Sequence, residues 1–192
     1  MIVHRCFAWA RREVPSEPGG ALWFPRTLQG DGRHDNPQVY GCLYVAEVEV
    51  SAVVEQLADF RGRRLGPAML VRRGLPLALA AIELPDAAQV IDLDEPKVLE
   101  AQELKPSRVA TRRRDVTQPQ ALALFRRHRF AAALRWWSTY EALWANLTIL
   151  ERAAHRLRLQ DIRAVGLDDQ SVVAAAEFLG LPAQATSTAQ SP

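Results

Sequence analysis

Residues 32–57 read GRHDNPQVYGCLYVAEVEVSAVVEQL and change local order twice. The opening GRHDNP combines glycine, proline and polar side chains, a composition that favours a loop. Residues 42–47 (CLYVAE) form a short apolar run of the kind that makes a strand. From residue 49 the period changes. Val50, Val53, Val54 and Leu57 recur at helical spacing, which predicts a helix over 49–59. A loop, a strand and a helix thus follow one another directly, with polar groups at the junctions.

Outward from this stretch the chain alternates irregularly. Residues 2–9 begin as an apolar run and predict a strand, and 15–41 a long loop of the functional or disordered kind. Residues 62–76 are rich in arginine and glycine and read as loop or weak strand. Strands are expected at 77–84 and 89–93, and a short helix at 96–104, with Pro96 suited to its first turn. A longer helix is expected from Thr117 to about Phe130, with the Thr117 hydroxyl as N-cap and Pro119 early in the first turn. Strands follow at 131–137, 147–150 and 161–165. A final helix over 168–179 opens on Asp168 and Asp169 and stops at Gly180 and Pro182. No regular βαβ alternation emerges, so the class is α+β. One compact domain over 1–182 is expected, a mixed central sheet flanked by helices. Residues 183–192 are small and polar and are expected to be a disordered tail.

Bulk properties narrow the function. The 192 residues, 48% hydrophobic and 24% charged, are enough for one globular core. Net charge is only +2. Lys97 and Lys105 are the only lysines, and the arginine and alanine bias fits a GC-rich coding sequence. Cys6 and Cys42 form no CxxC pair and no zinc-spaced cluster, so no metal is expected. The N-terminus carries no signal-peptide pattern and no stretch is apolar enough to span a membrane. A reducing, cytoplasmic location with free thiols is the expectation.

Three residues of the opening stretch stand out. Arg33 lies in the polar loop, where an arginine is usually a solvated charge. Tyr44 lies in an apolar strand, where it is usually a core aromatic with a satisfied hydroxyl. Glu55 sits about 100° from Val54 around the helix axis, at the edge of the apolar stripe, either as a boundary residue or facing a cleft. Glu47 and Glu49 read as solvated, and His34, His128 and His155 as surface or boundary histidines.

The run as a whole resembles the signature of the RES domain family, named for its arginine, glutamate and serine. The signature's glycine–arginine turn falls on Gly32-Arg33, its aromatic-rich strand on Leu43-Tyr44-Val45, and its helical glutamate on Glu55. The family's arginine-bearing first strand fits His4-Arg5-Cys6-Phe7, although Cys6 stands where an aromatic is common. Two later segments resemble the place of the family's hydroxyl, DVTQPQA with Thr117 and LRWWS with Ser138, and both stay as candidates. The resemblance covers about residues 2–165.

It implies an ADP-ribosyltransferase-like fold and a bacterial toxin of a toxin–antitoxin system. Such an enzyme breaks the nicotinamide–ribose bond of NAD+, as glycohydrolase or phosphorylase, and passes ADP-ribose to water, phosphate or a protein. It also implies a cognate antitoxin as partner. In that chemistry arginines suit the pyrophosphate, with Arg5 and Arg33 as candidates. Tyr44 would contact the nicotinamide ribose. Glu55 would stabilise the ribose cation or activate the acceptor. Thr117 or Ser138 would position the nicotinamide amide or a phosphate.

Other classes fit less well. No GxGxxG follows a strand, which argues against hydride transfer, and Ser138 lies in WWSTY rather than GxSxG. A nucleic-acid-binding module would draw on Arg72-Arg73, Arg112-Arg113-Arg114 and Arg126-Arg127-His128-Arg129, with Trp136 and Trp137 for stacking. The small net charge argues against it.

Overall fold

A computed structural model describes residues 1–12 and 14–182; the tail expected at 183–192 lies outside the described residues. The chain is α+β. Eight strands form one mixed sheet: β1 (Ile2–Ala8), β2 (Cys42–Ala46), β3 (Val71–Arg72), β4 (Leu75–Glu83), β5 (Gln89–Asp92), β6 (Ala131–Trp137), β7 (Ala145–Leu150) and β8 (Arg158–Ala164). The helices are α1 (Glu49–Leu57), α2 (Pro96–Ala101), α3 (Pro106–Val109), α4 (Arg114–Arg127) and α5 (Gln170–Leu179). The strand order is β3-β4-β1-β2-β7-β6-β5, with β8 also on β4. Only β5 and β6 run parallel. All other pairs are antiparallel.

Strand alternation sorts the core into two faces. Leu43 and Val45 of β2, Leu147 and Ile149 of β7, and Ala78, Ala80 and Ile82 of β4 point to one face. That face is covered by Ala21, Leu22 and Phe24 of the long loop and by Ala153 and Leu157 of the 3-10 turn after β7. The opposite face carries two separate apolar clusters. One joins Ala46, Leu77 and Leu79 to α1 and α5. The other joins Cys42, Leu134, Trp136 and Leu150 to α4. Between them the same face presents Tyr44, Asn146 and Thr148, so the sheet is polar where the helices leave a gap.

The registers widen that gap. β1 lies against β4 along its whole length. Against β2 it pairs only at His4 and Ala46. The two central strands therefore diverge beyond that point and open the sheet under α1.

Two helix ends differ in how faithfully they follow local rules. α5 starts and stops where capping chemistry sets it. Asp169 accepts a hydrogen bond from the Ser171 amide, and Gly180 closes the helix at φ 67°. No atom lies within 4 Å of where a Gly180 side chain would begin, so Gly180→Ala tests backbone strain alone. It should cost about 1 kcal/mol and lower Tm by roughly 2–4 °C. A Tm equal to wild type would show that the left-handed cap contributes nothing.

α4 departs from expectation. It begins at Arg114 with Arg113 as N-cap, one turn before Thr117. Thr117 is buried inside the helix and its hydroxyl donates to the Arg33 carbonyl at 2.6 Å. A tertiary hydrogen bond has claimed the group that local sequence offered as a cap. Pro119 is carried within the helix and has no N–H to give to the Asp115 carbonyl.

Candidate active site

The GRHDNP loop is fixed almost entirely by its own carbonyls and one carboxylate. Gln118 of α4 donates to the carbonyls of Gly30 and Gly32 at 2.8 and 2.9 Å, and Thr117 to that of Arg33. Tyr40 donates to the His34 carbonyl at 2.8 Å, and Asn36 ties the same carbonyl to that of Gln118. Asp35 lies at the centre. Its Oδ2 accepts from the amides of Gly30 and Gly32 at 2.7 and 2.8 Å. Its Oδ1 accepts from the Tyr44 hydroxyl at 2.7 Å and the Cys42 thiol at 3.2 Å. Burial pushes this carboxyl up, but four donors outweigh burial and hold it below its ordinary value. Only glycine fits at position 32, because a Cβ there would come within 2.4 Å of Asp35 and 2.5 Å of the Tyr44 hydroxyl.

Tyr44 is thereby immobilised. Its hydroxyl donates to Asp35 and accepts from the His34 amide at 2.8 Å. Burial and the Asp35 charge raise it well above the ordinary phenol range, so it stays a phenol. Its hydroxyl proton is committed to Asp35; toward the cleft it offers its ring and one oxygen lone pair.

Arg33 is not a solvated charge. Its Nη1 donates to the carbonyls of Val109 and Thr111 at 2.6 and 2.7 Å, and its guanidinium lies 4.4 Å from the centre of the Trp136 ring. Nε and Nη2 make no hydrogen bond among the described residues. Beneath it His34 is buried, contrary to its reading as a surface or boundary histidine. Its Nδ1 lies 2.8 Å from the Thr148 hydroxyl, which also accepts from Trp136 Nε1 at 3.1 Å. Thr148 thus joins the two rings, and its bond to His34 Nδ1 runs in the direction the imidazole tautomer sets. Burial, reinforced by the Arg33 charge, pushes His34 down to about 3.

Glu55 projects from α1 into the cleft. Its Oε1 accepts from Asn146 Nδ2 at 3.2 Å, and Asn146 Oδ1 accepts from the Ser51 hydroxyl at 3.0 Å. Asn146 is thus oriented from one side by α1 and orients Glu55 on the other. Glu55 is exposed at the cleft mouth, but the surrounding walls still desolvate its carboxyl and raise it above its ordinary value of 4.5. Arg33, the Asn146 bond, Arg112 and the Ser138 hydroxyl partly offset this.

Together these residues line a cleft of about 460 Å³ between the two helix clusters. Arg33, Tyr44, Glu55, Trp136 and Asn146 form its floor and walls, and Arg112, Arg114, Thr139 and Tyr140 its rim. The two hydroxyl candidates separate here. Ser138 is buried beside Glu55, whereas Thr117 faces the Arg33 carbonyl behind the loop. Arg5 borders the cleft at the β1–β2 gap, but its Nη1 is held by the carbonyls of Gly20, Ala21 and Trp23 of the loop on the other sheet face.

Glu47 and Glu49 are not solvated either. Glu47 pairs with Arg135, and Glu49 with Arg163 and the Ser171 hydroxyl. Sequence reasoning missed Asp35, Asn146 and Arg112 as parts of this site. Asp35 and Arg112 did lie within quoted polar runs, but nothing local marked their partners. Trp136, which the less favoured nucleic-acid-binding alternative would use for stacking, is buried with Arg33 over one face, which counts against that use.

Both cysteines are free and buried. Among the described residues no His, Cys, Asp and Glu group is arranged to hold a metal ion, and no helix is long and apolar enough to cross a membrane.

A model of a family described as the RES domain matches residues 4–173. A chain in the crystal structure of the M. tuberculosis MbcT–MbcA toxin–antitoxin complex has a similar fold. The TM-score is 0.62 at 18% identity, over 94% of this chain and 87% of that one. No curated protein matches in sequence.

Proposed function

The chain belongs to the RES domain family, and from that premise we propose that it cleaves the nicotinamide–ribose bond of NAD+. The observation that carries the reading is Glu55, bonded by Asn146 and bordered by Ser138 in a cleft that also presents Arg33 and the Tyr44 ring. The cleft volume falls in the range of small-molecule sites.

In this reading the C–N bond breaks with its electron pair leaving on nicotinamide, which departs neutral. Positive charge is left on the ribose. The Glu55 carboxylate faces that charge, oriented by its hydrogen bond from Asn146. When water is the acceptor, its oxygen forms the new bond to the ribose carbon and its proton passes to Glu55. When phosphate is the acceptor, a phosphate oxygen forms that bond. Arg33 presents its unbonded Nε and Nη2 edge to an anionic part of the substrate, while Trp136 and the two carbonyls hold it in place. Tyr44 offers a ring whose position Asp35 fixes. Ser138 acts beside Glu55. Thr117 and Arg5 support the site from behind, through the Arg33 carbonyl and the 20–23 loop.

A toxin role and a cytoplasmic location follow from this substrate. The likeness to a chain from a toxin–antitoxin complex supports an antitoxin partner.

Purified protein should deplete NAD+ and release nicotinamide. Products analysed with and without inorganic phosphate identify the acceptor: ADP-ribose for water, a phosphorylated ADP-ribose for phosphate, a modified polypeptide for protein. Micromolar protein that leaves NAD+ intact for hours under both conditions would overturn the reading.

A further inference from the structure

The cleft holds more positive charge than its own carboxylates balance. Arg33, Arg112 and Arg114 all line it, and none of the three forms an ion pair among the described residues. The acidic residues lining it are Glu55 and Asp59. Like charges gathered on one wall favour a polyanionic occupant.

The three arginines are not equivalent. Arg33 spends Nη1 on two carbonyls. Arg114 spends Nε on the Asp31 carbonyl and Nη1 on that of Arg112. Arg112 donates only through Nε, to the Thr139 hydroxyl at 3.3 Å. Both of its terminal nitrogens are uncommitted among the described residues, and these form a planar fork suited to a phosphate.

The fork is also held in place before any ligand arrives. Its guanidinium carbon lies 4.8 Å from the centre of the Tyr140 ring, which Arg61 approaches at 5.7 Å. Thr139 and Tyr140 belong to the segment after β6, which also carries Ser138 beside Glu55. The fork therefore shares one short segment with the serine that borders the carboxylate.

We propose that Arg112, set by Thr139 and Tyr140, is a second phosphate-binding residue of this cleft beside Arg33. The proposal rests on the NAD+ reading for its biological ligand, but its chemistry is a phosphate oxyanion. That oxyanion has two sources, the pyrophosphate of the dinucleotide and an inorganic phosphate acceptor.

Inorganic pyrophosphate and inorganic phosphate are titrated separately into wild type and Arg112→Gln by calorimetry, with no turnover involved. The variant is expected to bind at least one of them about tenfold or more weaker, with an unchanged apo Tm because the position is exposed. Arg112→Lys keeps the charge without the fork and should recover only part of the loss. Loss confined to pyrophosphate assigns the dinucleotide, and loss confined to phosphate assigns the acceptor. Equal binding of both probes by wild type and Arg112→Gln, or no binding by wild type, overturns the proposal. A protein that binds pyrophosphate through Arg112 yet leaves NAD+ intact would sink the NAD+ reading and keep this one.

Discussion

Glu55→Gln is expected to lower kcat for nicotinamide release by at least about a hundredfold while NAD+ affinity changes little. Glutamine keeps the size of the side chain and can still bond Asn146, but it removes the negative charge. A group needed mainly when positive charge develops on the ribose should show its loss in the chemical step and not in ground-state binding. The magnitude matches removal of one electrostatic or acid–base group from an active site. The wild-type acid limb should lie above the ordinary glutamate value of 4.5, because desolvation raises Glu55. That limb should vanish from whatever activity the variant retains. Glu47 and Glu49 are unsuitable as comparisons, since their ion pairs tie the end of β2 to β6 and α1 to β8. Glu100, exposed on α2 and without a side-chain hydrogen bond among the described residues, is the better control. Near-normal turnover by Glu55→Gln at saturating NAD+ would show that another group meets the charge.

Acidification should destabilise the fold through His34 before the carboxylates are reached. In the folded chain its value is pushed down to about 3, against an ordinary value of 6.5. Below pH 6.5 the unfolded chain takes up a proton that the folded chain refuses. Stability is therefore fully present above about pH 6.5 and is lost as pH falls toward 3, at up to about 1.4 kcal/mol per pH unit. His4 is lowered as well and acts in the same direction from a half-buried position. Glu55 is raised and opposes the loss as it protonates. The lowered carboxyls Asp35 and Glu49 contribute below their ordinary values of 3.8 and 4.5, so denaturation between pH 6.5 and 5 isolates the histidines. His34→Asn should flatten that slope. Should the variant fail to fold, the imidazole nitrogen shifts of the wild type provide the same test. His34 must stay neutral down to pH 5. A His34 that titrates near 6.5, or a wild type of constant stability across this range, would refute the assignment.

Elements whose signals are local can be read from neighbouring residues alone. The change of period between Cys42–Ala46 and Glu49–Leu57 is a property of neighbouring residues, so strand and helix could be read directly. The same holds for α5, whose Asp169 and Gly180 are caps regardless of context. Glu55 was legible as an edge residue because a helix fixes angles around its axis. Its choice between boundary and cleft was not legible, since that depends on Asn146 and Ser138, far away along the chain.

Tertiary structure decided the rest, because hydrogen-bond partners across long separations leave no periodic trace. Thr117 has the local chemistry of a helix cap, yet the Arg33 carbonyl takes its hydroxyl and the helix begins a turn earlier. His34 has the composition of a loop residue, yet Thr148 and Trp136 bury it as a neutral ring. Arg5 and Arg33 looked alike as phosphate ligands, but loop carbonyls hold one on the far sheet face and Trp136 supports the other in the cleft. Apart from His4 Nδ1, the buried polar side chains among the described residues find partners, and only the folded sheet, with its helix clusters set apart on one face, brings those partners within reach.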